Sequence, residues 1–285
     1  MSETWSIRRV LDWTARDFAA RGIDTARLDA ELLVAHALGL ERVGLYLDLD
    51  RPLQPAERER IRALVKRRRD REPVAYILGR REFYGRTFEV GPAVLVPRPD
   101  TETLVEHALA RPTGENRVLD LCTGSGIVAI TLAAEREDLR VDATDLSEEA
   151  LAVARRNAER HGVADRIEWL AGDLFQALPP DRRYALITAN PPYIAEGDFA
   201  SLEPEVARWE PRIALAGGSE GLDVVQRIAR GAGERLVPGG RVLVEVGAGQ
   251  APEVARLFEE AGLVHAATHR DIAGIERVVE ATASL

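Results

Sequence analysis

The sequence predicts an α/β fold: an open sheet with a ligand site at its carboxyl edge, preceded by a small N-terminal helical domain and a β-hairpin linker. From residue 117 onward, short apolar strands alternate with amphipathic helices. A glycine-rich turn, Cys122–Gly126, joins the first of these strands to a helix. Another strand stops at Asn190-Pro-Pro-Tyr193, because proline lacks the N–H that a sheet ladder requires. Ligands of open α/β sheets bind at this edge.

Composition narrows the class of protein. Over 285 residues the formal net charge is −9, which argues against a general nucleic-acid binder. The single cysteine, Cys122, excludes an internal disulfide and fits a reducing compartment. No stretch approaches the ~18 apolar residues of a membrane span. We therefore expect a cytoplasmic protein that does not enter a membrane.

Residues 1–72 are expected to form the helical domain. Apolar residues recur there at helical spacing, and Pro55 suits the first turn of a helix. The residues expected to face inward, helix by helix, are Ile7, Val10, Leu11, Thr14 and Phe18; Leu28, Leu32 and Ala35; and Ile61, Leu64 and Val65. The basic run Lys66–Arg71 permits two interpretations, a patch for an anionic partner or a solvated helix end. The second is favoured because cations stabilise a helix C-terminus.

Residues 73–93 are expected to be the hairpin linker, with strands at 74–78 and 86–90 separated by Gly79 and Gly85. In the segment that follows, two prolines flank Arg98 and hold it in extended backbone. Arg98, Thr101 and Glu102 then approach a ligand from above the sheet, or the segment is a simple loop-to-helix junction. Spacing does not separate these two interpretations.

The strands after residue 117 place polar residues at one edge. Gly124 and Gly126 let the backbone come close to a ligand after the strand 117–121. Asp145 ends the next strand, about 20 residues past the glycines, where a carboxylate meets ribose hydroxyls. Asp173 and Leu174 follow the third strand, where an adenine is expected. The remaining elements are a strand at 184–189, helices near 220–236 and 252–262, and strands at 241–246, 264–269 and 276–282, the last two forming an antiparallel hairpin.

Two cofactors fit the glycine turn. Gly124-x-Gly126-x-x-Ala129 matches a dinucleotide fingerprint, so NAD is one candidate. S-adenosylmethionine is favoured by Asp120, whose carboxylate is placed to hold an ammonium group, and by the Asn190 tetrapeptide, which is suited to gripping a planar –NH2. The bland alternatives are that Asp120 stabilises the turn and that Asp145 caps the next helix.

Motifs along nearly the whole chain carry a family resemblance. They are Pro73-Val-Ala-Tyr with Gly79-x-Arg-Glu-Phe83; Val96-Pro-Arg-Pro-Asp-Thr-Glu102; Val118-Leu-Asp-Leu-Cys-Thr-Gly-Ser-Gly126; Asn190-Pro-Pro-Tyr-Ile194; Glu210-Pro-x-x-Ala-Leu215 with Gly217-Gly and Gly221-Leu222; and Arg270-Asp271 with Glu276-Arg277. The chain resembles the HemK/PrmC family, the release-factor glutamine methyltransferases. The resemblance implies a class I, Rossmann-like methyltransferase domain over residues 94–285, behind a substrate-binding domain (1–72) and the linker (73–93).

The resemblance also implies site residues. The catalytic residues are Asn190, Pro191 and Tyr193. The substrate-binding residues are the same three with Pro192, Leu95 and Arg98. The cofactor-binding residues are Thr101, Glu102, Asp120, Cys122, Thr123, Gly124, Ser125, Gly126, Asp145, Leu146, Asp173, Leu174 and Asn190. Many relatives carry Gly in place of Cys122, and some carry Trp in place of Leu174.

The implied reaction methylates the glutamine amide in the Gly-Gly-Gln loop of class I release factors, with S-adenosylhomocysteine as product and no metal. Asn190 Oδ1 and the Pro191 carbonyl accept the two N–H bonds of the amide, and Tyr193 packs on its plane. We expect a monomer with no direct nucleic-acid substrate. The alternatives are glutamine methylation of a ribosomal protein, a DNA adenine amino-methyltransferase, a non-catalytic cofactor-binding regulator and a dehydrogenase.

Overall fold

This computed structural model describes residues 5–110 and 116–284. Its amino-terminal part consists of helices. They are α1 Ile7–Ala19, α2 Ala26–Leu38, α3 Arg42–Leu47, α4 Pro55–Arg69 and α5 Val74–Leu78. All five residues predicted for the inner face of α1 are buried. The face predicted for α2 is wrong at Leu28, which is 40% exposed. This helix packs instead through a buried stripe that includes Ala30, Leu33 and Ala37.

The basic run at the end of α4 is solvated only in part, because Lys66 and Arg67 are exposed whereas Arg68 is buried. Its arginines 67, 68, 69 and 71 all pair with carboxylates. Arg68 is 4% exposed and donates to Asp29 Oδ2 and Glu205 Oε1, both at 2.7 Å. The chain forms two compact units. The first consists of Met1–Gly79 together with Pro204–Trp209, and the second consists of Arg80–Glu203 and Glu210–Leu285.

The predicted strand at 74–78 is wrong, because these residues form helix α5, which Gly79 ends in a left-handed conformation. Five consecutive apolar residues carry no period that separates a strand from a buried helix turn. The hairpin lies just after it and consists of β1 Arg80–Phe83 and β2 Arg86–Glu89, paired antiparallel. The second strand was predicted at 86–90, in agreement with β2.

The second unit is built on a seven-stranded sheet flanked by helices. In chain order its elements are α6 Thr101–Leu109, β3 Arg117–Leu121, α7 Ile127–Glu135, β4 Arg140–Asp145, α8 Glu148–Arg160, β5 Ile167–Ala171, β6 Tyr184–Ala189, α10 Asp223–Arg235, β7 Leu236–Glu245, α11 Ala251–Glu260, β8 Val264–Arg270 and β9 Glu276–Thr282, with α9 Pro204–Trp209 belonging to the first unit. The strand order is β5-β4-β3-β6-β7-β9-β8. The first five of these strands are parallel, and β9 is antiparallel to both β7 and β8.

The strand order reverses between β3 and β6. From β3 the chain runs outward to β4 and β5, then returns to place β6 on the other side of β3. In such sheets the crevice outside the carboxyl ends of these two strands is the usual ligand site. The predicted residues Cys122 and Asn190 follow directly after β3 and β6. None of the helices among the described residues is both long and apolar enough to span a bilayer.

Candidate active site

A cavity of about 350 Å³ opens at the carboxyl edge of the sheet, a volume typical of small-molecule sites. Most of the predicted site residues line it. They are Leu95, Arg98, Thr101, Asp120, Cys122, Thr123, Gly124, Ser125, Asp145, Leu146, Asp173, Leu174, Asn190 and Pro192. These residues come from five separate stretches of chain, and the fold brings them to one place.

Four predicted residues lie outside the lining. Gly126 is the N-cap of α7, where an added Cβ would lie 2.8 Å from Ile130 Cδ1. Pro191, within the turn itself, is buried. The Oε1 atom of Glu102 accepts the Tyr84 N–H at 2.8 Å and so holds the hairpin, and its place in the cofactor site stays a prediction.

Tyr193 is the fourth residue outside the cavity lining. Its backbone carbonyl accepts a hydrogen bond of 3.0 Å from Gln250 Nε2. Burial raises the pKa of its phenol to about 12, and the Glu245 carboxyl acts in the same direction. The side chain therefore lies in a mostly dehydrated place beside charged groups, and its expected stacking on a substrate amide stays a prediction.

Two N–H groups hold the Asp145 carboxylate at the end of β4. Gly124 N donates to Oδ2 at 2.8 Å, and Ser147 N donates to Oδ1 at 2.9 Å. Gly124 has a φ of +56°, and an added Cβ would meet no atom within 4 Å, since the residue faces the cavity. Burial raises the pKa of Asp145. Each carboxylate oxygen keeps a lone pair with which to accept from a ligand hydroxyl.

Asp120 lies at the floor of the cavity and is 1% exposed. Thr123 Oγ1 donates to Oδ2 at 2.6 Å, and Thr188 Oγ1 donates to Oδ1 at 2.8 Å. Burial raises the pKa of this carboxyl to about 6, against the two hydroxyl bonds, which lower it. A bound cation would complete the charge balance of such a group.

Cys122 occupies a left-handed conformation with φ +55°. A glycine adopts this backbone without steric cost, which gives a physical reason for the glycine that the family resemblance implies at this position. The side chain lines the cavity, and burial raises the pKa of its thiol well above the ordinary range. A neutral thiol of this kind is a packing group.

Arg98 forms an ion pair with Glu210, with Nη2 to Oε1 at 2.6 Å. The Glu210 side chain is 1% exposed, whereas that of Arg98 is 35% exposed and lines the cavity. This pair attaches the segment that follows α9 to the Pro-Arg-Pro stretch. The arginine of that stretch thus has a structural partner as well as a place at the ligand site.

Asn190 is oriented by Thr101, because its Nδ2 donates to the Thr101 hydroxyl at 3.1 Å. The carboxyl of Glu245, at the end of β7, faces both side chains. The sequence reasoning missed Glu245, since a lone acid at a strand end carries no signal of burial.

Other lining residues were also missed. They are Ala93, Val94, Pro97, Ile127, Val128, Thr144, Ser147, Ala150, Gly172, Ile213, Ala214, Ala216, Val224 and Arg227. Ile213 and Ala214 fall inside the Glu210–Leu215 motif, so a signal was present there. Arg227 donates to Asp173 Oδ2 at 2.6 Å, and no sequence motif had marked this residue. The described residues hold no group of three or more His, Cys, Asp or Glu arranged for a metal ion.

Two family models match separate parts of the chain. A model described as the PrmC N-terminal domain matches residues 9–79, and one described as the methyltransferase small domain matches residues 99–203. Solved structures share the fold of the second unit. A methyltransferase from Pyrococcus furiosus aligns with a TM-score of 0.55 at 18% identity, over 71% of this chain and 91% of its own. The class I methyltransferase fold predicted from the sequence is confirmed.

A second solved structure is the Thermus thermophilus 16S rRNA N2 G1207 methyltransferase in complex with AdoMet and guanosine. It aligns with a TM-score of 0.50 at 21% identity, over 72% of this chain and 49% of its own. At this level of identity the likeness concerns the fold alone.

Relatives of known name match over almost their whole length. The release factor glutamine methyltransferase of Geobacter sulfurreducens is 48% identical over 277 residues, 97% of this chain and 96% of its own. That of Cereibacter sphaeroides is 49% identical over 263 residues, 92% of this chain and 93% of its own. The chain therefore belongs to the release factor glutamine methyltransferase family.

Proposed function

We propose that this protein transfers a methyl group from S-adenosylmethionine to the side-chain amide nitrogen of the glutamine in the Gly-Gly-Gln motif of class I peptide release factors. The observation that carries the proposal is the position of Asn190. Its carboxamide lines the same cavity as the carboxylates of Asp120 and Asp145. An acceptor for an –NH2 group therefore stands beside groups suited to a cationic nucleoside.

The donor set fits S-adenosylmethionine. Asp120 would hold the ammonium group of the methionine part, and Asp145 would accept from the ribose hydroxyls. Asp173 and Leu174 would meet the adenine. When bound, this cofactor supplies an electrophilic methyl carbon and is left as S-adenosylhomocysteine.

The chain's own task is to orient a poor nucleophile. An amide nitrogen is weakly nucleophilic because its lone pair is delocalised into the carbonyl. Asn190 Oδ1 and the Pro191 carbonyl accept its two N–H bonds, which directs the lone pair and favours the positive charge that develops on nitrogen. Orientation supplies up to roughly 7–11 kcal/mol in the best model reactions, and preorganised acceptors add to it. The methylated nitrogen then loses one proton to solvent.

We assign residues 1–72 to holding the protein substrate, residues 73–93 to the linker and residues 94–285 to catalysis. The compact units divide at Gly79, and the first also includes Pro204–Trp209. A segment between the Asn190 turn and Glu210 thus belongs to the proposed substrate-binding unit. We also propose that the enzyme acts as a monomer and in the cytoplasm, where release factors work.

Mass spectrometry of a release factor incubated with the protein and S-adenosylmethionine tests the function. One added methyl group on the Gly-Gly-Gln glutamine is expected. An unmodified glutamine, with a known release factor methyltransferase active in parallel, would refute the substrate. Assays on ribosomal proteins and on DNA would then identify the acceptor, and the same protein carrying Asn190→Ala controls for contaminating activity.

A further inference from the structure

Glu245 is a buried acid that the proposed chemistry has not used. It ends β7, is 1% exposed, and its Oε2 has no hydrogen-bond partner among the residues that the structure describes. Burying a carboxyl without full hydrogen bonding costs stability, so a buried group of this kind often has a functional role. The side chains of Thr101 and Asn190 face its carboxyl, so a role of Glu245 in the proposed reaction follows as a hypothesis.

The surroundings of Glu245 come from three elements. Thr101 and Asp100 lie at the start of α6, Arg277 lies on β9, and Asn190 and Tyr193 belong to the turn after β6. Burial raises the pKa of Glu245 to about 7, and Asp100 acts in the same direction. The hydroxyl of Thr101, the charge of Arg277 and the amide of Asn190 lower it in part.

The Thr101 hydroxyl has one proton, and its direction affects how Asn190 is held. Asn190 Nδ2 donates to Thr101 Oγ1 at 3.1 Å, so this oxygen acts as an acceptor towards Asn190. The hydroxyl proton must therefore point elsewhere. An ionised Glu245, whose carboxyl faces Thr101, can accept it, since a carboxylate offers lone pairs and no donor. Thr101 is fully buried, so water does not compete for this proton.

The orientation of the Asn190 amide matters for the proposed reaction. An acceptor –NH2 group needs the Oδ1 end of the carboxamide, and the Nδ2 end would place donor against donor. Nothing in the shape of a carboxamide separates the two ends, so a hydrogen-bond partner must do so. If the Thr101 proton were directed at Asn190, it would favour the reversed orientation.

We propose that Glu245 is a positioning residue that acts through the Thr101 hydroxyl to hold the Asn190 carboxamide with Oδ1 towards the acceptor amide. This inference rests on the proposed function, because it assigns the orientation that amide methylation requires. It adds Glu245, on a strand that carries none of the predicted site residues, to the machinery of the reaction.

The first experiment compares wild-type protein with Glu245→Gln on a purified release factor. The glutamine keeps the shape of the side chain but can donate to Thr101, which frees the hydroxyl proton to turn towards Asn190. We expect kcat to fall about tenfold or more, whereas KM for the release factor and the Kd for S-adenosylmethionine, measured calorimetrically, change less than twofold. Loss of an oriented hydrogen-bonding group at a reacting centre has effects of this size or larger.

The pH profile supplies a readout that a merely structural role would not move. Protonated Glu245 can donate its own proton to Thr101, whereas the ionised form can only accept, so kcat of the wild type should rise with pH through about 7 and then level off. Both substrates are kept saturating, so that titrations affecting binding do not contribute. The Glu245→Gln variant should lack this rise.

Thr101→Val tests the route. If Glu245 acts through Thr101, the double variant should be no slower than the slower single variant, whereas independent effects would multiply. Glu280→Gln is the matched control, because it removes a buried carboxyl from the neighbouring strand β9, where Glu280 pairs with Arg241. It is expected to alter thermal stability and to leave kcat unchanged.

The outcomes are separable. A wild type that leaves the release factor unmethylated removes the proposed function and this inference with it. A wild type that methylates it, with an unchanged kcat and pH profile in Glu245→Gln, overturns the inference alone. Multiplicative effects of Glu245→Gln and Thr101→Val would overturn the route through the hydroxyl.

Discussion

The backbone N–H of Gly124 donates a hydrogen bond of 2.8 Å to the carboxylate of Asp145. This bond joins the turn after β3 to the end of the neighbouring strand β4. It places an anionic group against a backbone that has no side chain in the way. The same cavity holds the Asp120 carboxyl, so two acids near the carboxyl ends of adjacent parallel strands line it together with Arg98 and Arg227.

Binding of S-adenosylmethionine should depend on pH through Asp120. The burial that raises the pKa of this carboxyl to about 6 keeps it largely protonated at pH 5 and ionised at pH 7. Because only the ionised form attracts an ammonium group, we expect affinity to weaken roughly tenfold from pH 7 to pH 5. Calorimetric titration measures this, and Asp120→Asn should bind more weakly with a flat profile between these pH values. An equally steep profile in the variant would assign the dependence to another group.

Asn190→Ala should separate binding from chemistry. The variant loses the acceptor for the substrate amide but keeps Asp120, Asp145 and the glycine turn, so we expect the Kd for S-adenosylmethionine to change less than threefold. Turnover should fall by about a hundredfold or more, as when a preorganised hydrogen-bonding group is removed. Steady-state methylation of a release factor measures this. Unchanged turnover would remove Asn190 from the mechanism.

Gly221→Ala should disturb the turn formed by residues 190–193. Gly221 has a φ of +75°, and an added Cβ would lie 2.3 Å from the carbonyl oxygen of Tyr193. Gly249→Ala is the matched control, because Gly249 has a φ of +84° and an added Cβ would meet nothing within 4 Å. In both variants, an alanine in the left-handed region lowers the free energy of unfolding by about 1–2 kcal/mol. Only Gly221→Ala must also move Tyr193, so its turnover should fall at least tenfold while that of Gly249→Ala is kept. Equal turnover in the two variants would show that the Tyr193 carbonyl position is unimportant.

Arg68→Ala should destabilise the first unit. Its guanidinium, buried between Asp29 and Glu205, pairs with Asp29 and shares Glu205 with Arg71. Breaking a buried pair costs about 3–5 kcal/mol, which urea denaturation detects. Arg62→Ala is the control on the same helix, because Arg62 and its partner Glu59 are 75% and 70% exposed. It should cost about 0.5 kcal/mol or less. Similar costs for both variants would show that the Arg68 pairs are as weak as surface ones.

Much of the candidate site followed from local patterns. Parallel strands end at one edge, so Asp120, Asp145 and Asn190 were expected together before any tertiary contact was known. Glu245 was not expected there, because an acid at a strand end has no local mark that distinguishes a buried position from an exposed one. Its role depends on Thr101, 144 positions earlier in the chain.

The sequence by itself determined the alternation of strands and helices, the glycine turn and the place where β6 must stop, since these depend on backbone geometry and on residues a few positions apart. The tertiary structure decided what depends on distant partners. It made 74–78 a helix, turned Leu28 outward, paired Arg68 with Glu205 and set Glu245 against Thr101. The physical reason is that burial and ion pairing are settled by whichever groups the fold brings together, and neighbours along the chain do not specify them.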